Sequence, residues 1–157
     1  MLNSKEIIAL SDFEHVLTRP TMYIGSIEES DENIQVIEDE KIILYNKKIS
    51  VGFYKLMHEI IDNAFDEGKR MKGKLKNISI NFDSLTSKIT VSDDGEGFFN
   101  GSEINEKTGL TNIETALTVL RAGSNFKNEE SEENLIGTNG VGASIVNMLS
   151  DYFEIKT

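Results

Sequence analysis

A chain of 157 residues, 38% hydrophobic and 27% charged, has the length and balance of one globular domain with a core of its own. Its net charge of −11 argues against direct duplex binding, because affinity for nucleic acid comes mainly from Lys and Arg neutralising phosphates. The absence of cysteine excludes disulfides and thiolate metal sites, two isolated histidines (His15 and His58) cannot form a zinc cluster alone, and no apolar run is long enough for a membrane span. The N-terminus carries Glu6 and lacks an uninterrupted apolar stretch, so no secretory signal is expected; the reading that fits is a cytoplasmic protein.

In chain order, residues 3–18 have roughly helical spacing, with Ile7, Ile8, Leu10, Phe13, Val16 and Leu17 apolar. Ser11 with Glu14 three residues on is a capping-box pattern, so the helix either runs through Ser11 or restarts there. Arg19–Ser26 is expected to be a loop punctuated by Pro20 and Gly25. The acid-rich stretch 28–40 suggests an exposed excursion, with short strands at 34–38 and 41–46 joined across Asp39-Glu40. Residues 52–70 are the clearest helix, with Phe53, Leu56, Met57, Ile60, Ile61, Ala64 and Phe65 as its apolar stripe.

Residues 78–82 and 88–92 alternate as strands of a hairpin. A helix is predicted over 109–121 and another over 143–149. The segment 122–142 between them is a loop rich in Gly, Asn, Glu and Ser, and Tyr152–Lys156 is expected to begin a final strand. Helices and hairpins are mixed rather than strictly alternating, which favours α+β.

Three constellations carry chemistry. Glu59, Asn63 and Asp66 fall on neighbouring turns of the long helix. An amide oxygen is a hard ligand suited to Mg²⁺, and a carboxylate one turn earlier can activate a water. The same residues also fit the solvated face of an amphipathic helix. Asp93-Asp94-Gly95-Glu96-Gly97 ends a strand, where glycines permit close approach of a ligand and a carboxylate can accept from an exocyclic amine; a tight acidic turn is the plainer reading. Gly123, Gly137, Gly140 and Gly142 lead into a helix, an arrangement that offers backbone N–H groups to an anion. The last set is not a Walker motif, since no Lys-Ser/Thr follows, and no strand precedes it as a dinucleotide fingerprint requires.

The order of the three sets, with the Asp-x-Gly-x-Gly run about thirty residues after the Glu…Asn helix, resembles the nucleotide boxes of the GHKL ATPase superfamily. Four stretches narrow the resemblance to type II topoisomerases, of the gyrase B and T-even phage large-subunit kind. Arg19–Ser26 looks like their "RP-x-MYIGS", and Glu59–Glu67 like their "E-hydrophobic-hydrophobic-DNA-x-DE". Leu117–Phe126 is similar to "LTVLHAGGKF", and Gly137–Ser150 to "GLHGVGASVVNALS". The matches cover most of residues 11–150.

The resemblance implies a two-layer α/β sandwich of the GHKL (Bergerat) type, a mixed sheet with helices on one face. It implies that residues 1–157 are an N-terminal ATP-binding domain, incomplete at its C-terminus, with 122–142 as the ATP lid. Glu59 would be the general base and Asn63 the Mg²⁺ ligand. Asp93 would bind the adenine amine. Asp66, Gly95, Gly97, Ala122, Gly123, Gly137, Thr138, Asn139, Gly140, Val141 and Gly142 would line the nucleotide, with Tyr23 and Ile24 near it or near a dimer contact. The implied cofactors are ATP and Mg²⁺. The implied partners are a second copy, other topoisomerase subunits, and DNA contacted mainly outside this chain.

The sequence departs from the family pattern at Glu96 (usually arginine), Phe99 (often proline), Asn125 (usually lysine) and Asn139 (usually histidine). The Glu96 change is expected to set two acids, Glu67 and Glu96, against each other. Two other readings stand beside the topoisomerase one: a histidine-kinase-type catalytic domain, disfavoured by Arg19–Ser26, and a non-catalytic nucleotide-binding or subunit-interaction fragment.

Overall fold

The computed structural model describes residues 7–98, 100–123, 135–137 and 140–157. The first helix, α1, spans Asp12–Thr18. Ser11 Oγ accepts the Glu14 N–H at 3.3 Å and Glu14 Oε2 accepts the Ser11 N–H at 2.8 Å, so the capping box starts the helix here and the restart reading holds. Residues 7–10 are irregular, and Ile7 and Ile8 have no packed face to join. The Arg19–Ser26 segment is less of a loop than expected: Thr21–Ile24 is a single helical turn, α2. Pro20 supplies a helical φ of −58° at its start and Gly25 ends it at φ 83°.

Strands β1 (Glu29–Glu38) and β2 (Lys41–Ser50) form an antiparallel ribbon turning at Asp39 and Glu40, both at positive φ. Both strands are longer than the hydrophobic pattern suggested. The added length is explained by charge: Asp31 lies opposite Lys48 and Glu32 opposite Lys47, so the acid-rich stretch pairs with lysines instead of remaining an unstructured excursion.

Ser50 caps helix α3 (Val51–Arg70) through the Phe53 N–H at 3.3 Å. Strands β3 (Ile78–Asp83) and β4 (Lys88–Asp93) form the expected second hairpin. Helix α4 covers Asn112–Thr118, shorter than the predicted 109–121. A Thr111–Glu114 capping box starts it late, and Val119 is already extended. Helix α5 spans Gly142–Met148. Tyr152–Lys156 is not a strand, since no described strand pairs with it.

The chain is therefore α+β. Among the described residues the four strands make two separate two-stranded antiparallel sheets, so the expected mixed sheet is not formed by these elements. The core lies between helices: Val16, Ile24, Leu120, Ile145 and Met148 are buried together, with Tyr23, Leu56, Val141 and Leu149 packed against them. On α3 only part of the apolar stripe is covered. Ala64 is buried, but Phe53 and Phe65 remain 47% and 50% exposed. The α3 helix is about 30 Å long, whereas a two-stranded sheet is only about 10 Å wide. No helix of the described residues is long and apolar enough to cross a membrane.

Candidate functional site

Helix α3 packs against α5 and against β4, and this brings all three sequence constellations to one region. Glu59 lies on α3 facing Gly142, the first residue of α5. A β-carbon built on Gly142 would fall on the Glu59 carboxylate, so any other residue would displace the acid from its place between the two helices. Lys55, one turn earlier, forms an ion pair with Glu59. Sequence reasoning did not single out Lys55, although the i, i+4 spacing of Lys and Glu was a signal for it.

One turn beyond Glu59, the Asn63 side chain is exposed and makes no hydrogen bond to another described residue. Its amide oxygen is 3.5 Å from a β-carbon placed on Gly137. No group of three or more His, Asp or Glu side chains among the described residues could hold a metal ion. A single neutral oxygen donor suits Mg²⁺, which keeps several waters and takes phosphate oxygens as further ligands.

Asp66, expected among the nucleotide contacts, is buried and bonded to the backbone of Ile136 and Gly137. Its side chain is 2% exposed. The Ile136 N–H donates to its two oxygens at 2.8 and 3.1 Å, and the Gly137 N–H donates to Oδ2 at 2.7 Å. Lys69 Nζ lies 3.7 Å away. A buried carboxylate needs such partners to offset its lost hydration.

The acidic doublet at the end of β4 divides its labour. Asp94 Oδ1 accepts the N–H groups of Lys76 and Asn77 at 2.9 and 3.0 Å, and Oδ2 accepts Asn77 Nδ2 at 2.9 Å. These bonds, the Asn77 N–H first, hold the Asp94 carboxyl below the usual aspartate range. Asp94 is thus a structural tie. Asp93 accepts only the Gly95 N–H, at 2.9 Å, among the described residues. The doublet alone could not tell the two apart.

A β-carbon at Gly95 would stand 2.6 Å from Glu67 Cγ and 2.7 Å from Asp93 Oδ1, so this turn also rests on glycine. Gly97 has φ 72° and lies against Thr157, whose hydroxyl accepts the Phe98 N–H at 2.6 Å. Nothing in the sequence marked that contact between residues 59 positions apart.

The glycine-rich segment is closed at its base, where the Ala122 N–H donates to Gly140 O at 3.1 Å. Gly123 follows directly, and Val141 packs on the core beside α5. The candidates Thr138 and Asn139, and residues 124–134 of the predicted lid, lie outside the described residues, as do the departures at Phe99 and Asn125. Ile24 is buried in the core, and Tyr23 is held by a 2.7 Å hydrogen bond between its hydroxyl and His15 Nδ1.

No family model matches the chain. Its fold is that of a GHKL ATPase region: a crystal structure of the ATPase region of Saccharomyces cerevisiae topoisomerase II superposes with a TM-score of 0.78 at 30% identity, covering 90% of this chain and 37% of that one. The DNA topoisomerase large subunit of Enterobacteria phage T4 is 37% identical over 158 aligned positions, 97% of this chain. DNA topoisomerase 2 of Candida albicans is 32% identical over 150 positions, 94% of this chain. The chain is a homologue of the ATPase region of type II DNA topoisomerases. It spans 28% and 10% of the length of those two relatives.

Proposed function

We propose that this chain binds ATP with Mg²⁺ as the nucleotide-operated gate segment of a type II DNA topoisomerase. The observation that carries the reading is the placement of Glu59 and Asn63 against the glycine-rich segment, at Gly142 and Gly137 respectively. At Gly142 a β-carbon would fall on the Glu59 carboxylate, and at Gly137 it would stand in ordinary contact with the Asn63 amide oxygen at 3.5 Å. In this reading Asp93 accepts a hydrogen bond from the adenine amine, while Gly95 and Gly97 let the base approach the chain. Gly123, Gly140, Val141 and Gly142 line the phosphate end. Asn63 would hold Mg²⁺, which when bound supplies charge neutralisation to the phosphates. Glu59 orients the attacking water and takes its proton.

The two-layer sandwich, the lid over 122–142 and the N-terminal ATP-binding domain over 1–157 belong to the same proposal. So do dimerisation through this region on nucleotide binding, contact with other topoisomerase subunits, and action in the cytoplasm. With a net charge of −11 the chain leaves DNA contact mainly to other parts of the enzyme.

The test is isothermal titration of a non-hydrolysable ATP analogue with Mg²⁺ against the wild type and Asp93→Asn. Binding that is lost in the variant supports the site. Equal affinity in both would remove Asp93 from it. Glu59→Ala is expected to keep analogue affinity and lose turnover.

A further inference from the structure

We infer that Asp66 is a positioning residue for the nucleotide site, tethering the backbone at Ile136 and Gly137 so that Gly137 is held against Asn63. The inference rests on the nucleotide reading above and assigns Asp66 a part that involves no contact with the ligand. The carboxylate is 2% exposed and accepts two consecutive amides at 2.7–3.1 Å. Two oxygens in one plane match two successive N–H groups; a neutral amide in their place would offer a single acceptor.

Ile136 is 51% exposed, so its side chain contributes little to fixing the backbone. The charge-assisted hydrogen bonds to Asp66 tie the backbone to α3. They are made by α3 itself, three residues beyond Asn63, so the segment is registered to the helix that carries the proposed metal ligand. The result is visible at Gly137, where a β-carbon would lie 3.3 Å from Asp66 Oδ2 and 3.5 Å from Asn63 Oδ1. Releasing the tether would let the backbone leave Asn63 and open the phosphate end of the site.

Two variants remove the tether from opposite sides. Asp66→Asn deletes one acceptor and the charge. Ile136→Pro deletes one donor at an exposed position and leaves Asp66 unchanged. Amide exchange in the nucleotide-free protein should show Ile136 and Gly137 protected in the wild type and exposed in Asp66→Asn. Affinity for the non-hydrolysable ATP analogue with Mg²⁺ should fall about tenfold or more in both variants, the scale of one hydrogen bond to a charged group.

Wild-type affinity in Asp66→Asn, with the wild type binding normally, would overturn the role of Asp66 alone. Faster exchange throughout the chain in Asp66→Asn, with Ile136→Pro binding like the wild type, would make Asp66 a general stability residue and overturn the proposal. A wild type that binds no analogue would sink the nucleotide reading and this inference with it.

Discussion

Glu67 accepts a hydrogen bond from the backbone N–H of Glu96 at 3.2 Å, so the two acids that were expected to repel are instead joined through the main chain. The other oxygen of Glu67 takes Arg70 Nε at 3.1 Å, from one turn further along α3. Arg70 thus supplies the cation that the family places at position 96. Arg70→Ala is expected to cost about 0.5–1 kcal/mol, since the pair is partly exposed. Urea unfolding measures this, and Glu96→Arg in the same background should recover part of it. An unchanged midpoint in Arg70→Ala would show that the pair carries no stability.

Gly142→Ala places a methyl group on the Glu59 carboxylate. Because the carboxylate is the end of a flexible side chain that can shift, the cost is expected at the low end of overpacking, about 1 kcal/mol, which for a domain of this size lowers Tm by about 2–4 °C. Turnover should fall as well, because Glu59 must move. A variant with wild-type Tm and wild-type turnover would mean that Glu59 has room to spare.

Lys55 is ion-paired with Glu59 across one helical turn. Lys55→Ala is expected to lower kcat about tenfold, a fraction of what a general base contributes, while analogue affinity stays within twofold of the wild type. Lys55→Arg should restore most of the rate. A steady-state comparison of kcat and KM decides it, and an unchanged kcat in Lys55→Ala would make the pair a surface contact only.

Asp94 gives a prediction in pH. Its folded-state pKa is depressed below the ordinary 3.8, chiefly by the Asn77 and Lys76 N–H groups. A depressed carboxylate stabilises the fold above its unfolded pKa, and that contribution is lost as pH falls through the lower folded value. Glu14 and Glu114, held down by their helix caps at Ser11 and Thr111, act in the same direction. Stability should therefore fall below about pH 4, and Asp94→Asn should show a shallower fall. Thermal melts across pH 3–6 test this; parallel curves for the two proteins would contradict it.

Thr111 caps a helix of only seven residues and forms a reciprocal box with Glu114. Thr111→Ala is expected to cost about 1 kcal/mol, measured by urea unfolding. A change of less than a few tenths would show that α4 is held by its packing on α5 alone.

Local pattern was enough to determine much of this protein. Apolar spacing marked α3 and the β3–β4 hairpin, Ser11 and Glu14 marked the start of α1, and the Asp39-Glu40 turn was readable between its strands. The motif order carried the relationship to type II topoisomerases, because residue types at set spacings survive in the chain itself. Tertiary structure decided what those residues do. Asp93 and Asp94 are adjacent and chemically identical, and only the approach of Lys76 and Asn77 makes Asp94 a tie. Asp66 became an anchor because residues 70 and 71 positions later fold back onto it. The lengths of β1 and β2 depended on lysines meeting acids across the ribbon. A side chain's role is set by which donors, acceptors and charges surround it, and those partners come from distant parts of the chain whose meeting depends on packing, not on local sequence.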